Sequence, residues 1–174
     1  MTMRFIPGGT FLTNDFTIGQ DRITQTTTSL IGFWIDQTEV TFEMYDMCVQ
    51  SGACTPEGVS ELQTIMKTES FASPFSYPVI QVDWFQAQNY CQWVGGDLPT
   101  EHQWEFAAGS RPENTLATFL WEGQDLTGEQ LCDFAHYNEC DSDNARKNLA
   151  PIFVSSKTEG STKQGVFDLS LIHI

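Results

Sequence analysis

A chain of 174 residues with 40% apolar and 13% aromatic residues carries enough material for one packed domain, or part of one, and is excluded from the disordered class. Eight basic residues against 23 acidic ones give a formal charge of −15, which repels phosphate backbones and anionic lipid, so nucleic acid and membrane surfaces are poor partners. No run reaches the ~20 apolar residues of a membrane span, and the acidity reads as the solvated surface of an exported or salt-tolerant protein.

Met1-Thr2-Met3-Arg4 is followed at once by Phe5-Ile6-Pro7-Gly8-Gly9, so no signal peptide is visible. The Pro-Gly-Gly turn between apolar residues predicts a short hairpin within Phe5 to Phe16. LIGFWIDQTEV, from Leu30 to Val40, predicts a strand leading into a turn. Thr41 is placed to cap a helix with Met44, Tyr45, Cys48 and Val49 on one face and Gly52 at its end. Residues 55–76 read as a long irregular stretch, and Val79 to Val82 as a short apolar strand after Pro78. Asp83 with Gln86 forms a capping box for a second helix, whose inner face is Ala87, Tyr90, Cys91 and Val94 and whose stop is Gly95-Gly96. Thr100 with Gln103 does the same for a third, which carries Trp104, Ala107 and Ala108 and ends at Gly109. From Ser110 onward Asn, Asp, Gly and Thr are dense and the reading is loop. Short strands, two or three short helices and long loops give an α+β class with much irregular backbone.

The five cysteines fall as CVQSGAC (Cys48, Cys54), CDFAHYNEC (Cys132, Cys140) and a remaining Cys91. Neither close pair has the spacing of a zinc or redox motif. Two short disulfide loops are the economical reading, and they imply an oxidising compartment. Five reduced cysteines in a cytosolic protein is the alternative. Cys91, on the inner helix face, reads as a packed thiol rather than a nucleophile.

Several stretches share one pattern: FIPGGTF, FWIDQTEVTFEMY, YPVIQVDWFQAQNYCQWVGGDLPTEHQWEFAA, the CDFA of Cys132 to Ala135, the API.V of Ala150 to Val154, and GVFDL. From residue 4 to 168 the chain resembles the formylglycine-generating, sulfatase-modifying-factor family, which implies an irregular C-type-lectin-like fold. Within the central block Asp83, Trp84, Trp93, Leu98, Pro99, Thr100, Glu101 and Trp104 read as caps and core, with the tryptophans packed where elements meet; none reads as catalytic. Two departures from the family pattern stand out. Asp97 replaces a basic residue before Leu-Pro-Thr-Glu, and Ala108-Gly109-Ser110 replaces Ala-Arg-Gly. The resemblance also implies calcium near an Ala-Asn dipeptide. Here that dipeptide is Ala135-His136, a poor start for an oxygen-ligand site, which leaves Asp141, Asp143 and Asn144 as candidate ligands.

By the same resemblance, full-length enzymes oxidise a sulfatase cysteine to formylglycine with copper and dioxygen. They do so through two cysteines in a final third that follows GVFDL and a GNVWEW stretch. This chain reads SLIHI there instead. The string Leu-Ser-Leu-Ile-His-Ile also translates a transposon end used in sequencing libraries. The expectation is thus a domain portion over 1–168 and a non-native tail over 169–174. No catalytic residues or copper ligands are expected within the chain, and its partner would be a sulfatase-like protein or peptide. The alternative is a non-catalytic, exported bacterial binding or scaffold module of the same family. An iron-dependent branch would need a histidine triad, for which only His102 and His136 are candidates.

Overall fold

A computed structural model describes residues 2–17, 22–56, 76–109, 128–136, 140 and 152–169. Four strands come first: β1 (Met3–Ile6), β2 (Gly9–Thr17), β3 (Arg22–Leu30) and β4 (Phe33–Asp36). The expected hairpin across Pro7-Gly8-Gly9 does not form. β1 pairs antiparallel with β4, from Met3 opposite Asp36 to Ile6 opposite Phe33, and β2 pairs with β3, from Gly9 opposite Leu30 to Thr17 opposite Arg22. Pro7-Gly8 therefore carries the chain from one ladder to the other. A Cβ on Gly8 would stand 2.6 Å from the Leu30 carbonyl oxygen and 2.7 Å from the Gly32 nitrogen. That crossing is also why Leu30 to Val40 is not one strand: β3 ends at Leu30, the chain turns through Ile31-Gly32, and β4 begins at Phe33. The β2–β3 ladder is rich in threonine, a β-branched residue suited to a pleated surface. Thr13, 2% exposed, meets the Thr26 hydroxyl at 2.9 Å.

The helices follow their caps. α1 (Phe42–Gln50) starts where the Thr41 hydroxyl accepts from the Met44 N–H at 3.3 Å and stops before Gly52, whose φ is 81°. α2 (Trp84–Trp93) has a complete box: the Gln86 N–H donates to Asp83 Oδ1 and the Asp83 N–H to Gln86 Oε1, both at 2.8 Å. α3 (Glu101–Ala107) has its box at Thr100 and Gln103. α4 (Gly128–Leu131) and a 3₁₀ turn (Thr158–Gly160) lie in the region read as loop. Val79 to Val82 is not a strand. It contributes a bridge beside it, Thr41 to Pro78, and the Val79 N–H donates to the Val40 carbonyl at 2.8 Å. Gln81, at φ 60°, then breaks the extended run. Among the described residues no helix is long and apolar enough to cross a membrane.

Two cores hold these elements. Phe42, Tyr45, Cys48, Cys54 and Tyr90 bury one between α1 and α2, backed by Val79, Val82 and Cys91. The Tyr45 and Tyr90 rings stack at 6.0 Å, and the Tyr45 hydroxyl donates to the Thr55 carbonyl. Ile6, Ala107 and Val166 form the other, with Phe33, Ile35, Phe106 and Leu169 around it. Leu169 thus packs with the domain, whereas 170–174 fall outside the described residues. The tryptophans correct the sequence reading. Trp84 is 58% and Trp93 38% exposed, and Trp104 is half-buried. At about 100° per residue, positions nine apart on a helix point to opposite sides, so Trp84 and Trp93 cannot share one face. Val94, expected inside, sits in the cap of α2 and is 40% exposed.

Candidate functional site

The stretch between β4 and α1 places Glu39, and the segment 152–169 folds back beside it. Two backbone hydrogen bonds fix that return, Phe167 N–H to the Gln37 carbonyl at 2.8 Å and Val154 N–H to the Ser76 carbonyl at 3.0 Å, while Thr162 N–H to the Val166 carbonyl at 2.8 Å closes a turn within the segment. Ser155 and Asp168 both adopt left-handed backbone, at φ 57° and 60°. A local hydrogen bond holds these two unusual conformations together, as the Ser155 N–H donates to Asp168 Oδ2 at 2.7 Å.

Glu39 and Asp168 line a cleft of about 240 Å³ with His136, Lys157 and the apolar side chains of Pro78, Ile80, Phe134, Ala135, Ile152 and Phe153. The Phe153 ring packs on Tyr77 at 4.4 Å. Desolvation by these walls, and then the charge of Asp168, push the Glu39 carboxyl up to about 7. Glu39 as a whole stays exposed, so solvent screens part of that repulsion. Burial also raises Asp168, against the lowering effect of the Ser155 N–H. The Lys157 ammonium donates to the Cys132 carbonyl. Gly160 lies so close to the Phe134 backbone that no Cβ fits, which ties the 3₁₀ turn to the Cys132–Cys140 loop.

All five cysteines are placed. Cys48–Cys54 and Cys132–Cys140 are disulfides, each with Cα atoms 5.3 Å apart. Cys91 is a single, half-buried thiol, pushed up by burial and then by Asp36 and Asp97. It is protonated at neutral pH and poorly nucleophilic. Behind it the Asp36 carboxyl is raised by burial, and Tyr90 is pushed up to about 12 by burial, then Asp36 and Cys91.

The predicted motif residues are gathered for architecture. Asp83 and Thr100 cap α2 and α3, Leu98-Pro99 leads into α3, and Glu101 occupies its first turn, where a negative charge suits the helix dipole. Asp97 turns its carboxylate inward to its own chain, accepting from the Leu98 N–H at 2.9 Å. Asp141, Asp143 and Asn144 lie outside the described residues. Ala135 is buried, His136 lines the cleft, and among the described residues no three His, Cys, Asp or Glu side chains meet as a metal-ligand group. The sequence reading missed Glu39, Ser155, Lys157 and Asp168 as a group. Its only signal was an acid embedded in apolar residues, in FWIDQTEV and again in GVFDL.

A family model described as a sulfatase-modifying factor enzyme 1-like domain matches residues 1–170. A formylglycine-generating enzyme of Streptomyces coelicolor is 48% identical over 84 residues, 44% of this chain and 25% of that protein. One of Mycobacterium tuberculosis is 37% identical over 65 residues, 37% of this chain and 21% of that protein. An inactive C-alpha-formylglycine-generating enzyme 2 of Bos taurus is 36% identical over 70 residues, 34% of this chain and 23% of that protein. The chain therefore matches about a quarter of these curated relatives' own length. With the capped α2–α3 block and the return of GVFDL onto the β4–α1 connection, the match over 1–170 places the chain in the sulfatase-modifying-factor, formylglycine-generating-type family.

Proposed function

We propose that residues 1–168 are the scaffold portion of a formylglycine-generating-type domain with a C-type-lectin-like fold, and that this portion carries no oxidase chemistry itself. The parent protein, on this reading, oxidises a cysteine in a sulfatase-like protein. The observation that carries the proposal is the state of the cysteines. Four are locked in disulfides, and Cys91 stands alone with a protonated thiol, so the residues present do not fit a copper centre built on two thiolates. The disulfides favour an oxidising, extracytoplasmic compartment. In the test, the chain is incubated with copper, oxygen and a sulfatase peptide containing the target cysteine, then read by mass spectrometry. The cysteine is expected to stay unmodified, and a formylglycine product would overturn the proposal.

A second reading, a non-catalytic module throughout, is favoured by the Bos taurus relative, whose name declares it inactive. It predicts that a longer product of the same gene also leaves the peptide unmodified while binding it.

A further inference from the structure

The two disulfides differ in their surroundings. Cys48–Cys54 sits inside the α1–α2 core at 0% and 6% exposure, with Phe42, Tyr45 and Tyr90 in the same cluster. Cys132 and Cys140 are only half-buried, and the stretch between them supplies Phe134, Ala135 and His136 to the cleft wall. A thiolate must reach a disulfide sulfur to exchange with it, so access sets the rate. Cys48–Cys54 is reached only when a core opens, whereas Cys132–Cys140 is within reach in the folded chain.

The accessible bridge also holds the backbone on which the 3₁₀ turn (Thr158–Gly160) rests. The Lys157 ammonium donates to the Cys132 carbonyl, and Gly160 lies against the Phe134 carbonyl with no room for a Cβ. The turn is closed by the Gly160 N–H to the Lys157 carbonyl at 3.1 Å and the Ser161 N–H to the Thr158 carbonyl at 3.3 Å. On the other side, residues 132–134 are tied back to α4 by the Phe134 N–H to the Leu131 carbonyl at 3.0 Å, and forward by the bridge to Cys140. The bridge spans a sequence separation of 8, so opening it returns conformational freedom to the residues that hold the turn. We propose that Cys132–Cys140 is a redox-sensitive clamp: a dithiol opens it in the folded protein, ahead of Cys48–Cys54, and the 157–160 turn then loosens from the Cys132–His136 stretch. In that step one thiolate of the dithiol attacks a sulfur of the pair, breaking the S–S bond and forming a mixed disulfide. Its second thiolate then displaces the protein sulfur. The bridge gains two electrons and two protons, and the dithiol leaves as its own disulfide.

The test treats the folded chain with dithiothreitol in native buffer, quenches at intervals with iodoacetamide in denaturant, and maps the labelled peptides by mass spectrometry. Cys91, a thiol in both states, is the internal reference. Cys132 and Cys140 are expected to label together, about tenfold or more faster than Cys48 and Cys54. In the selectively reduced protein, exchange of the Gly160 and Ser161 amides should rise about tenfold, while the α2 amides of Ala87 and Val94 keep their protection. Lys157→Met, which lacks the ammonium, should speed reduction of Cys132–Cys140 roughly threefold to tenfold, the worth of one hydrogen bond, and leave Cys48–Cys54 at its own rate. Where that variant does not fold, the rates and exchange of the unaltered chain decide alone. Equal rates for the two bridges, or faster loss of Cys48–Cys54, overturn the proposal, and so does unchanged exchange at Gly160 and Ser161 after selective reduction.

Discussion

Glu39 shows how a single carboxyl can set the pH response of the molecule. Its proton is held more tightly in the folded chain than in the unfolded one, because apolar walls and Asp168 disfavour its charge. The stability this group contributes is present below the ordinary carboxylate range and is lost as pH rises through about 7. Asp36 and Asp168 are raised too and act with the same sign. The urea midpoint is therefore expected to fall between about pH 5 and about pH 8. Glu39→Gln should flatten that slope; a variant with the full slope would remove Glu39 from the account. The apolar residues around it in FWIDQTEV were the only sequence signal of this, and they do not name Asp168. An acid between Thr38 and Val40 is ordinary until Asp168 is brought against it.

At the scale of elements, local rules and distant ones separate cleanly. Thr41, Asp83 and Thr100 each sit three residues before the N–H they accept, so all three caps were legible from spacing alone. Strand pairing was not, because nothing near Met3 to Ile6 says that its partner is Phe33 to Asp36 rather than the next strand. The clue was Gly8, read as a turn glycine. In fact it is the one residue small enough to let β1 leave its ladder past Leu30 and Gly32. Gly8→Ala drives a methyl into backbone atoms on two sides and is expected to cost about 1–3 kcal/mol, an overpacking penalty. Gly96→Ala is the control: its Cβ would meet only the Cys91 carbonyl at 3.7 Å, ordinary contact, and should change stability by about 0.5 kcal/mol or less. Equal urea midpoints for the two variants would show that the crossing is relaxed in solution.

Across the molecule, the described residues form two modest cores and leave several large apolar side chains exposed. Phe5 and Trp34 meet as a cross-strand pair on the β1–β4 ladder at 5.3 Å, 49% and 62% exposed, and Trp84 and Phe85 form an edge-to-face pair on α2 at 58% and 69%. Aromatic pairs left this open are docking or aggregation surfaces. The protein is expected to enhance the fluorescence of a hydrophobic dye in native buffer, and Trp34→Ser with Phe5→Ser should reduce it. An unenhanced dye signal would show that these rings are covered. The family was legible in the sequence because its central block is local and cap-rich. The cleft was not, because its two acids meet only through the return of 152–169.

That return also fixes a timetable. Ile6, fully buried, is covered by Ala107 and Val166, and the β4 neighbour Gln37 accepts from Phe167. Ile6, the first buried residue of that core in chain order, thus waits for Val166, the last of the three. Until then a nascent chain holds a finished α1–α2 unit, stapled by Cys48–Cys54, beside an uncovered strand pair. Covering of the N-terminal β1–β4 ladder therefore follows its pairing and waits until Val166 and Phe167 have been synthesised.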